Sequence, residues 1–298
     1  SCGARLAPFD SAATRCRMGR CFLPPPVFRE RKSVMEKSRI VAAGIGILLI
    51  GVAAVWTAAI GRRTEKEAME YRKLAEISGH SGTVAGFLIE NSFRRPEPER
   101  EIHTDEERVT EAFYDWDALA GINRDIIGWL YLPNLVDMPV VGALDNQFYL
   151  SHDFSGKKSS SGCPFMDRDT EEGDFNRVIY GHNMGAGSEA MFSVLLRYEE
   201  EDYFRENGVL FYTDRYDRVT AYDVIAIVKY NVNDVGEWDF RVRSHGNREE
   251  LLAWMAQLKE RAFLYWEPEQ LPDRLITLAT CDRRVYGKDG RFLVVGGN

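Results

Sequence analysis

The chain lacks the features that mark a metal-binding or disulfide-stabilised protein. It has five cysteines among 298 residues. Three of them, Cys2, Cys16 and Cys21, fall near the start, and Cys163 and Cys281 lie far apart, so no pair has the C-x-x-C spacing. This pattern argues against a zinc site and against a framework of disulfide bonds. A lone downstream thiol is then either a small core residue or a reactive group.

The chain also lacks an excess of basic residues. Lys and Arg number 38 against 46 Asp and Glu, which gives a net charge of -8 at pH 7. Proteins that bind nucleic acid favour a basic surface, so this balance argues against that class. Hydrophobic residues make up 45% of the chain, which is enough for one sizeable core.

One long stretch near the N-terminus is free of charge. Residues 40–60, IVAAGIGILLIGVAAVWTAAI, are long enough as a helix to cross a hydrocarbon layer of about 30 Å. No small-x-small cleavage site follows, so the segment predicts an uncleaved transmembrane anchor. Arg29, Arg31 and Lys32 upstream favour an N-terminus inside the cell. The protein is then expected in the cell membrane as a single-pass protein, with its large C-terminal part outside the cytoplasm.

The predicted anchor divides the chain into four segments. Residues 1–39 are expected to form a cytoplasmic tail, although Met35 reads as a natural start, so 1–34 are either a disordered tail or not native. Residues 40–60 are the anchor. Residues 61–103, charged and then broken by prolines, indicate a stalk. A folded domain is expected at 104–298, beginning with a helix that Thr104 and Glu107 cap.

Within this domain the pattern is mainly β. Gly, Asn and Asp separate the short apolar runs, which favours a closed barrel or a sandwich. One or two short helices are expected after residue 188, and a longer one over 247–265 with a cap from Asn247 and Glu250. The eight predicted strands are 126–132, 139–143, 164–167, 177–181, 209–214, 218–231, 274–281 and 291–297.

The penultimate strand ends in a thiol. Because side chains alternate along a strand, Cys281 shares a face with Ala279, while Ile276 and Leu278 point the other way and suit a core. A strand end beside charged residues is a poor place for an inert thiol. If the last two strands pair antiparallel, Arg291 faces Cys281, and its guanidinium can stabilise negative charge on a carbonyl that the thiolate attacks.

A cysteine nucleophile also needs a histidine that moves a proton. His80 and His103 lie in the predicted stalk, and His245 lies in a polar approach to a helix. His182, in RVIYGHNM, directly follows an apolar run at a glycine, where functional residues are common. His152, in YLSHDF, is the competing candidate, and the pattern alone leaves both open.

Together these residues resemble the sortase family. TLATC with an arginine ten positions later, and IYGHNM about a hundred residues upstream, carry the resemblance. INRDIIGWLYLPN, DNQFYLSHDFSGKKSSSGCPFMD and the long helix narrow it to class B, over residues of about 105–298. The resemblance implies a closed eight-stranded sortase-type β-barrel with an N-terminal helix and a long helix before the cysteine strand.

The resemblance also implies the roles of the site residues. Cys281 is the expected nucleophile, His182 the general acid and base, and Arg291 the group that positions substrate and stabilises the oxyanion. Many class B members have serine where Ala279 stands, and serine is also frequent at the position of Cys163. The expected substrate-binding residues are Asn146, Leu150, Tyr180, Thr280 and Asp282.

The implied activity is transpeptidation. The enzyme is expected to cleave an Asn-Pro-x-Thr-type sorting signal through a thioacyl intermediate and to join the protein to an amine of peptidoglycan or of a pilin subunit. This is surface-protein anchoring in the cell wall of Gram-positive bacteria. No metal, organic cofactor or nucleic-acid partner is implied.

Two other classes of function stay open. One is another cell-wall cysteine enzyme, although papain-like enzymes place the cysteine before the histidine and no His-Gly-Cys run of an L,D-transpeptidase is present. The other is a membrane-tethered binding or scaffold protein without catalytic activity.

Overall fold

The computed structural model describes residues 28–77, 114–185, 187–234, 236 and 238–298. The chain divides into two compact units, Ser1–Ala58 and Ala59–Asn298. A helix, α1 (Phe28–Ile77), contains the predicted anchor segment. None of the helices in these ranges combines the length and the apolar character that crossing a bilayer requires.

Eight strands of the second unit close into a barrel, and a ninth lies beside it. The strands are β1 (Ile126–Leu132), β2 (Val136–Gly142), β3 (Phe165–Met166), β4 (Asn176–Tyr180), β5 (Val209–Asp214), β6 (Val219–Asn231), β7 (Leu264–Tyr265), β8 (Leu275–Cys281) and β9 (Gly290–Gly297). The order around the barrel is β5–β1–β2–β3–β4–β8–β9–β6, and β6 closes the ring by pairing with β5. The two residues of β7 pair with β6 alone.

The eight predicted strands are therefore confirmed, with small shifts at their ends. The strand predicted at 139–143 begins earlier, at Val136, because β2 pairs with β1 over that whole length. The two residues of β7 were not predicted, since so short a segment shows no alternation.

Further helices lie before β1 and in the connections between later strands. They are α2 (Trp116–Ile122), α3 (Glu201–Glu206), α4 (Arg248–Arg261) and α5 (Arg283–Tyr286), with 3₁₀ turns at Phe148–Leu150, Phe192–Glu199 and Gly287–Asp289. The capping carboxylate before α2 belongs to Asp115, which accepts a hydrogen bond from the Ala118 amide, whereas the predicted cap at 104–107 lies outside the described residues. Asn247 caps α4 as predicted, and this helix ends at Arg261, because the chain then turns into β7.

Strand β8 is buried on both faces. Its inward side chains Ile276 and Leu278 belong to the core inside the barrel. Its outward side chains Leu275 and Ala279 pack in a second cluster that includes Trp254 of α4. Only the last residue of the strand is partly exposed. The fold therefore holds this strand rigidly and exposes one end of it.

The last turns of α1 belong to the second unit and pack on the rest of it. Tyr71 and Ala75 are buried in a cluster with Tyr149 and Cys163, and the Tyr71 hydroxyl donates to the Gly162 carbonyl at 2.7 Å. This part of the predicted stalk therefore packs on the folded domain. The rest of the stalk, from residue 78, lies outside the described residues.

Replacing Leu278 by alanine is expected to lower the free energy of unfolding by about 2–5 kcal/mol, because a fully buried side chain loses its contacts and leaves a cavity. Urea unfolding followed by tryptophan fluorescence measures the loss. Leu252→Ala, on the exposed face of α4, is the matched control, with an expected change below about 0.5 kcal/mol. Equal losses in the two variants would contradict this assignment of faces.

Candidate active site

The pairing of β8 with β9 sets the thiol beside a guanidinium. Cys281 is directly opposite Arg291 in this antiparallel pair, as the sequence predicts. Directly opposed residues project from the same face of a sheet, so the two side chains are neighbours. Cys281 is a free cysteine, and both residues are partly exposed.

The pairing of β8 with β4 brings a histidine to the other side of the thiol. These strands are parallel, and Tyr180 is in register with Ala279. Two residues further along each chain are His182 and Cys281. Hydrogen bonds continue the pairing, since the Gly181 amide donates to the Ala279 carbonyl at 3.1 Å and Asn183 Nδ2 donates to the Cys281 carbonyl at 2.8 Å. His182, Cys281 and Arg291 therefore stand at one end of three adjacent strands.

The imidazole of His182 has one nitrogen already engaged. Its Nε2 lies 2.6 Å from the Leu150 carbonyl oxygen. A carbonyl oxygen can only accept, so Nε2 carries a proton. Nδ1 is left as the nitrogen that can take up or release a proton.

The competing histidines are held in other contacts. The His152 ring stacks on Phe148 with centroids 4.0 Å apart, and its Nδ1 lies 2.8 Å from the Phe148 carbonyl oxygen. His245 lies against the rings of Phe175 and Trp254, where burial lowers its pKa. Neither set of contacts includes Cys281 or Arg291.

The guanidinium of Arg291 keeps most of its hydrogen-bonding capacity. Its Nη1 donates to the carbonyls of Lys288 (3.2 Å) and Gly290 (2.8 Å). No carboxylate of the described residues pairs with it. The remaining N–H groups and the unbalanced charge are available to an oxygen that carries negative charge.

The two ends of the β8–β9 connection approach each other closely. The Asp282 amide donates to the Gly290 carbonyl at 3.0 Å. A Cβ atom at Gly290 would lie 2.0 Å from the Asp282 carbonyl oxygen. Only glycine fits at this position without moving the backbone next to Arg291.

Three predicted substrate-binding residues lie on the β4 side of the thiol. Asn146 and Tyr180 are partly exposed, and both donate hydrogen bonds to the carboxylate of Asp167. Leu150 is 38% exposed, and its carbonyl holds His182. Sequence reasoning missed Asp167, because no spacing relates it to the residues that it contacts.

Thr280 and Asp282 differ from the expectation of direct substrate contact, because each is only 2% exposed. The Thr280 hydroxyl donates to the Gly181 carbonyl at 2.7 Å, which ties β8 to the segment before His182. Asp282 accepts from the backbone amide and the guanidinium of Arg284. Both side chains bind groups of the protein itself.

An ion-pair network surrounds Asp282. Arg284 also pairs with Glu199 at 2.6 Å, and Lys229 pairs with Glu199 as well. Burial raises the pKa of Asp282, but the hydrogen bonds from Arg284 outweigh burial and hold that pKa below its ordinary value. Arg284 is thus committed to this network, whereas Arg291 lies directly opposite the thiol in the β8–β9 pair.

Comparison with known proteins finds similarity to sortase B proteins in sequence and in structure. No family model matches the chain. It is 29% identical over 183 residues to Sortase B of Listeria monocytogenes, which covers 60% of this chain and 71% of that protein. The crystal structure of Clostridium perfringens sortase B matches with a TM-score of 0.54 at 25% identity, over 61% of this chain and 98% of that one. A Staphylococcus aureus sortase B–substrate complex shares the fold with a TM-score of 0.60 at 20% identity, over 79% and 97%.

Arg284→Gln is expected to destabilise the protein by about 1–3 kcal/mol at pH 7, because the buried carboxylate of Asp282 loses its charged partner. The folded-state pKa of Asp282 is depressed, so its contribution is present above the unfolded pKa of about 3.9 and is lost as the pH falls through the folded pKa. The stability gap between wild type and variant should therefore narrow in acid. Urea unfolding between about pH 3 and pH 7 measures this gap.

Arg283→Gln is the matched control for that series. Arg283 is exposed and takes no part in the network, so its removal should change stability by less than about 0.5 kcal/mol. A gap for Arg284→Gln that stays constant with pH would contradict the role given to Asp282.

The ring of His182 is expected to carry its neutral-state proton on Nε2, because that nitrogen faces the Leu150 carbonyl. Histidine ¹⁵N chemical shifts at about pH 9, well above the ordinary histidine pKa, report this directly. His152 is the internal control, since its Nδ1 faces a carbonyl and should carry the proton instead. The same tautomer at both rings would contradict the geometry.

Proposed function

We propose, from the premise that the chain is a sortase B homologue in sequence and in structure, that it is a cysteine transpeptidase of the cell wall. The observation that carries the proposal is the meeting of Cys281, His182 and Arg291 at one end of three paired strands. A thiol, an imidazole with one free nitrogen and a guanidinium with N–H groups to spare are what acyl transfer through a cysteine requires.

The first half of the reaction forms a thioester. The Cys281 thiolate attacks the carbonyl carbon of the threonine in an Asn-Pro-x-Thr-type signal, and the new S–C bond leaves negative charge on the carbonyl oxygen. N–H groups of Arg291 stabilise that oxyanion. When the C–N bond breaks, Nδ1 of the protonated His182 gives its proton to the departing amine.

The second half transfers the acyl group. A neutral amine attacks the thioester carbon, and its surplus proton passes to Nδ1 of His182. The C–S bond breaks, the thiolate leaves, and an amide bond to the acceptor remains. The acceptor is an amine of peptidoglycan or a lysine of a pilin subunit. Each proton and electron pair is accounted for by these side chains alone, so the scheme calls for no metal or organic cofactor.

The sorting signal would lie along the β4 side of the thiol. Asn146 and Tyr180 are partly exposed there, and Leu150 is 38% exposed, so they would supply two polar contacts and one apolar contact. Ala279 brings no hydroxyl to the groove. Thr280 and Asp282 act by positioning the strand end, because their side chains are buried.

The proposed location is the outer face of the cell membrane. The support for it is the uncharged sequence at 40–60 and the basic residues that precede it. In this arrangement the N-terminus is inside and the catalytic domain faces the cell wall, where the sorting signals and acceptor amines meet.

The decisive experiment incubates the full-length protein in detergent with a fluorogenic Asn-Pro-x-Thr-x peptide, with and without an added amine. Intact-mass spectrometry should detect an acyl adduct on Cys281, and added amine should convert it to an aminolysis product. Arg291→Lys should lower kcat by about 10²–10³-fold, because a single ammonium cannot reproduce the forked donors of the guanidinium.

Two controls separate the alternatives. Cys281→Ala should abolish the adduct, whereas Cys163→Ala should keep it, because Cys163 is buried. Release of the peptide acid at a rate that added amine does not change would indicate a peptidase. Binding of the peptide without cleavage would indicate a scaffold protein. Either result would contradict the proposal.

A further inference from the structure

Asp167 is a buried carboxylate next to the proposed groove that no step of the reaction uses. It directly follows β3 and is 4% exposed. Its Oδ2 accepts from the Tyr180 hydroxyl (2.8 Å) and from Asn146 Nδ2 (3.2 Å). Its Oδ1 accepts from the Asp169 amide (3.0 Å) and from Arg243 Nη1 (3.4 Å). Burying a carboxylate is costly, and these four donors offset that cost.

The carboxylate fixes which hydrogen-bonding groups its two neighbours can offer. An ionised carboxylate only accepts, so the single hydroxyl proton of Tyr180 is committed to Asp167, and the phenolic oxygen can offer only lone pairs elsewhere. Asn146 is fixed too, because its Oδ1 accepts from the Arg168 amide at 2.9 Å while its Nδ2 faces Asp167. The second hydrogen on Nδ2 remains as a donor.

Tyr180 stands beside the strand that carries the thiol, and Asn146 stands beside Tyr180. Tyr180 is in register with Ala279, two residues before Cys281 on the same face of β8. Tyr180 Oη and Asn146 Nδ2 bind the same oxygen of Asp167, so they lie side by side. Both residues are partly exposed. One acceptor and one donor are therefore presented together on the β4 side of the thiol.

We propose that Asp167 is a positioning residue that sets this polarity, so that Asn146 donates to a C=O, and Tyr180 accepts from an N–H, of one residue of the peptide substrate. An amide-bearing residue is the matching ligand, since it carries one carbonyl acceptor and an N–H donor. Asp167 itself touches no substrate and acts through the other two. The inference rests on the proposed function, because it takes the groove to be the peptide site.

Arg243 connects this network to the chain before α4. Its guanidinium offsets the charge of Asp167, and its carbonyl accepts from the Asn176 amide at 3.0 Å. Asp167 is thereby held from β4, from the connection that carries Asn146 and from the segment leading into α4. A carboxylate fixed from three sides has little freedom to turn, which is what a fixed donor–acceptor pattern needs.

The carbonyl and the N–H can belong to the carboxamide side chain of the first asparagine in the signal, or they can be the backbone C=O and N–H of that one residue, which point to the same side when the residue is extended. Two peptides distinguish these sources. Replacing that asparagine by aspartate removes the side-chain N–H, and N-methylation of the same residue removes the backbone N–H. In the wild type, the change that removes the recognised group should lower kcat/KM by about 10- to 100-fold, mainly through KM, because Tyr180 then faces no donor.

The test is Asp167→Asn in the full-length protein, with kcat and KM measured on these peptides. The carboxamide that this substitution introduces can donate to Tyr180, which frees the phenol proton and removes the fixed polarity. The preference for the unmodified peptide should then fall below about 3-fold, while kcat on the unmodified peptide changes much less than KM. Asp169→Asn is the matched control. It removes the same charge two residues away and touches neither Asn146 nor Tyr180, so the preference should persist.

A second readout does not depend on turnover. Burial raises the pKa of Tyr180, and the Asp167 carboxylate raises it further. Titration of ¹³Cζ-labelled tyrosine, with Tyr180→Phe to assign the signal, should show a lower Tyr180 pKa in Asp167→Asn than in wild type. Tyr180→Phe keeps Asp167 but lacks the acceptor oxygen, so this variant should also lose the preference for the unmodified peptide. It serves as the test if Asp167→Asn folds poorly.

The outcomes separate the two proposals. If wild type forms the Cys281 adduct but Asp167→Asn and Tyr180→Phe keep the full preference, the inference about Asp167 is wrong and the transpeptidase proposal stands. If both peptide modifications are tolerated by wild type, the groove does not read an amide here and the inference also falls. If wild type forms no adduct with any peptide of the set, both proposals fall together.

Discussion

The site depends on the in-register pairing of β8 with both of its neighbours. A parallel partner on one side carries His182, and an antiparallel partner on the other carries Arg291. A shift of either register by one residue would turn the corresponding side chain to the opposite face of the sheet. The same shift in β8 would point the Cys281 thiol into the barrel. The chemistry of the site therefore depends on strand register, because the register brings the three side chains together.

Buried polar contacts hold that register. The Thr277 hydroxyl donates to Asn176 Oδ1 at 3.0 Å at the start of the β4–β8 pair, and Thr280 binds the Gly181 carbonyl at its end. Between them, apolar packing on both faces of β8 gives stability but little discrimination between registers. Hydrogen bonds in a dry environment are directional, and a slipped strand would leave both hydroxyls without partners.

Local sequence pattern was sufficient to predict the strands and the face on which Cys281 lies. The alternation of side chains and the turn residues between strands are both visible within a few neighbouring residues. The expected pairing of the last two strands also gave Arg291, but pattern alone left His182 and His152 open, and only the resemblance of short motifs selected His182. Neither route leads to Asp167 or to the pairing of Arg284 with Glu199, since such contacts join positions far apart along the chain. The resemblance also placed Thr280 and Asp282 in the groove. In the structure Thr280 is buried on the inward face of β8, and Asp282 is buried in an ion pair with Arg284.

The close approach of Gly290 to the Asp282 carbonyl bears on how this connection can diverge. Apart from Arg284, which pairs with Asp282, and Gly287, whose φ of 60° favours glycine, the residues between these two positions are mostly exposed, so substitutions there meet few steric limits. Its two ends have no such latitude, because one accepts no side chain and the other is fixed by Arg284. Variation among homologues should therefore accumulate in the middle of the connection and stop abruptly at both ends. A loop bounded in this way can acquire new surface chemistry beside the thiol without altering the position of Arg291.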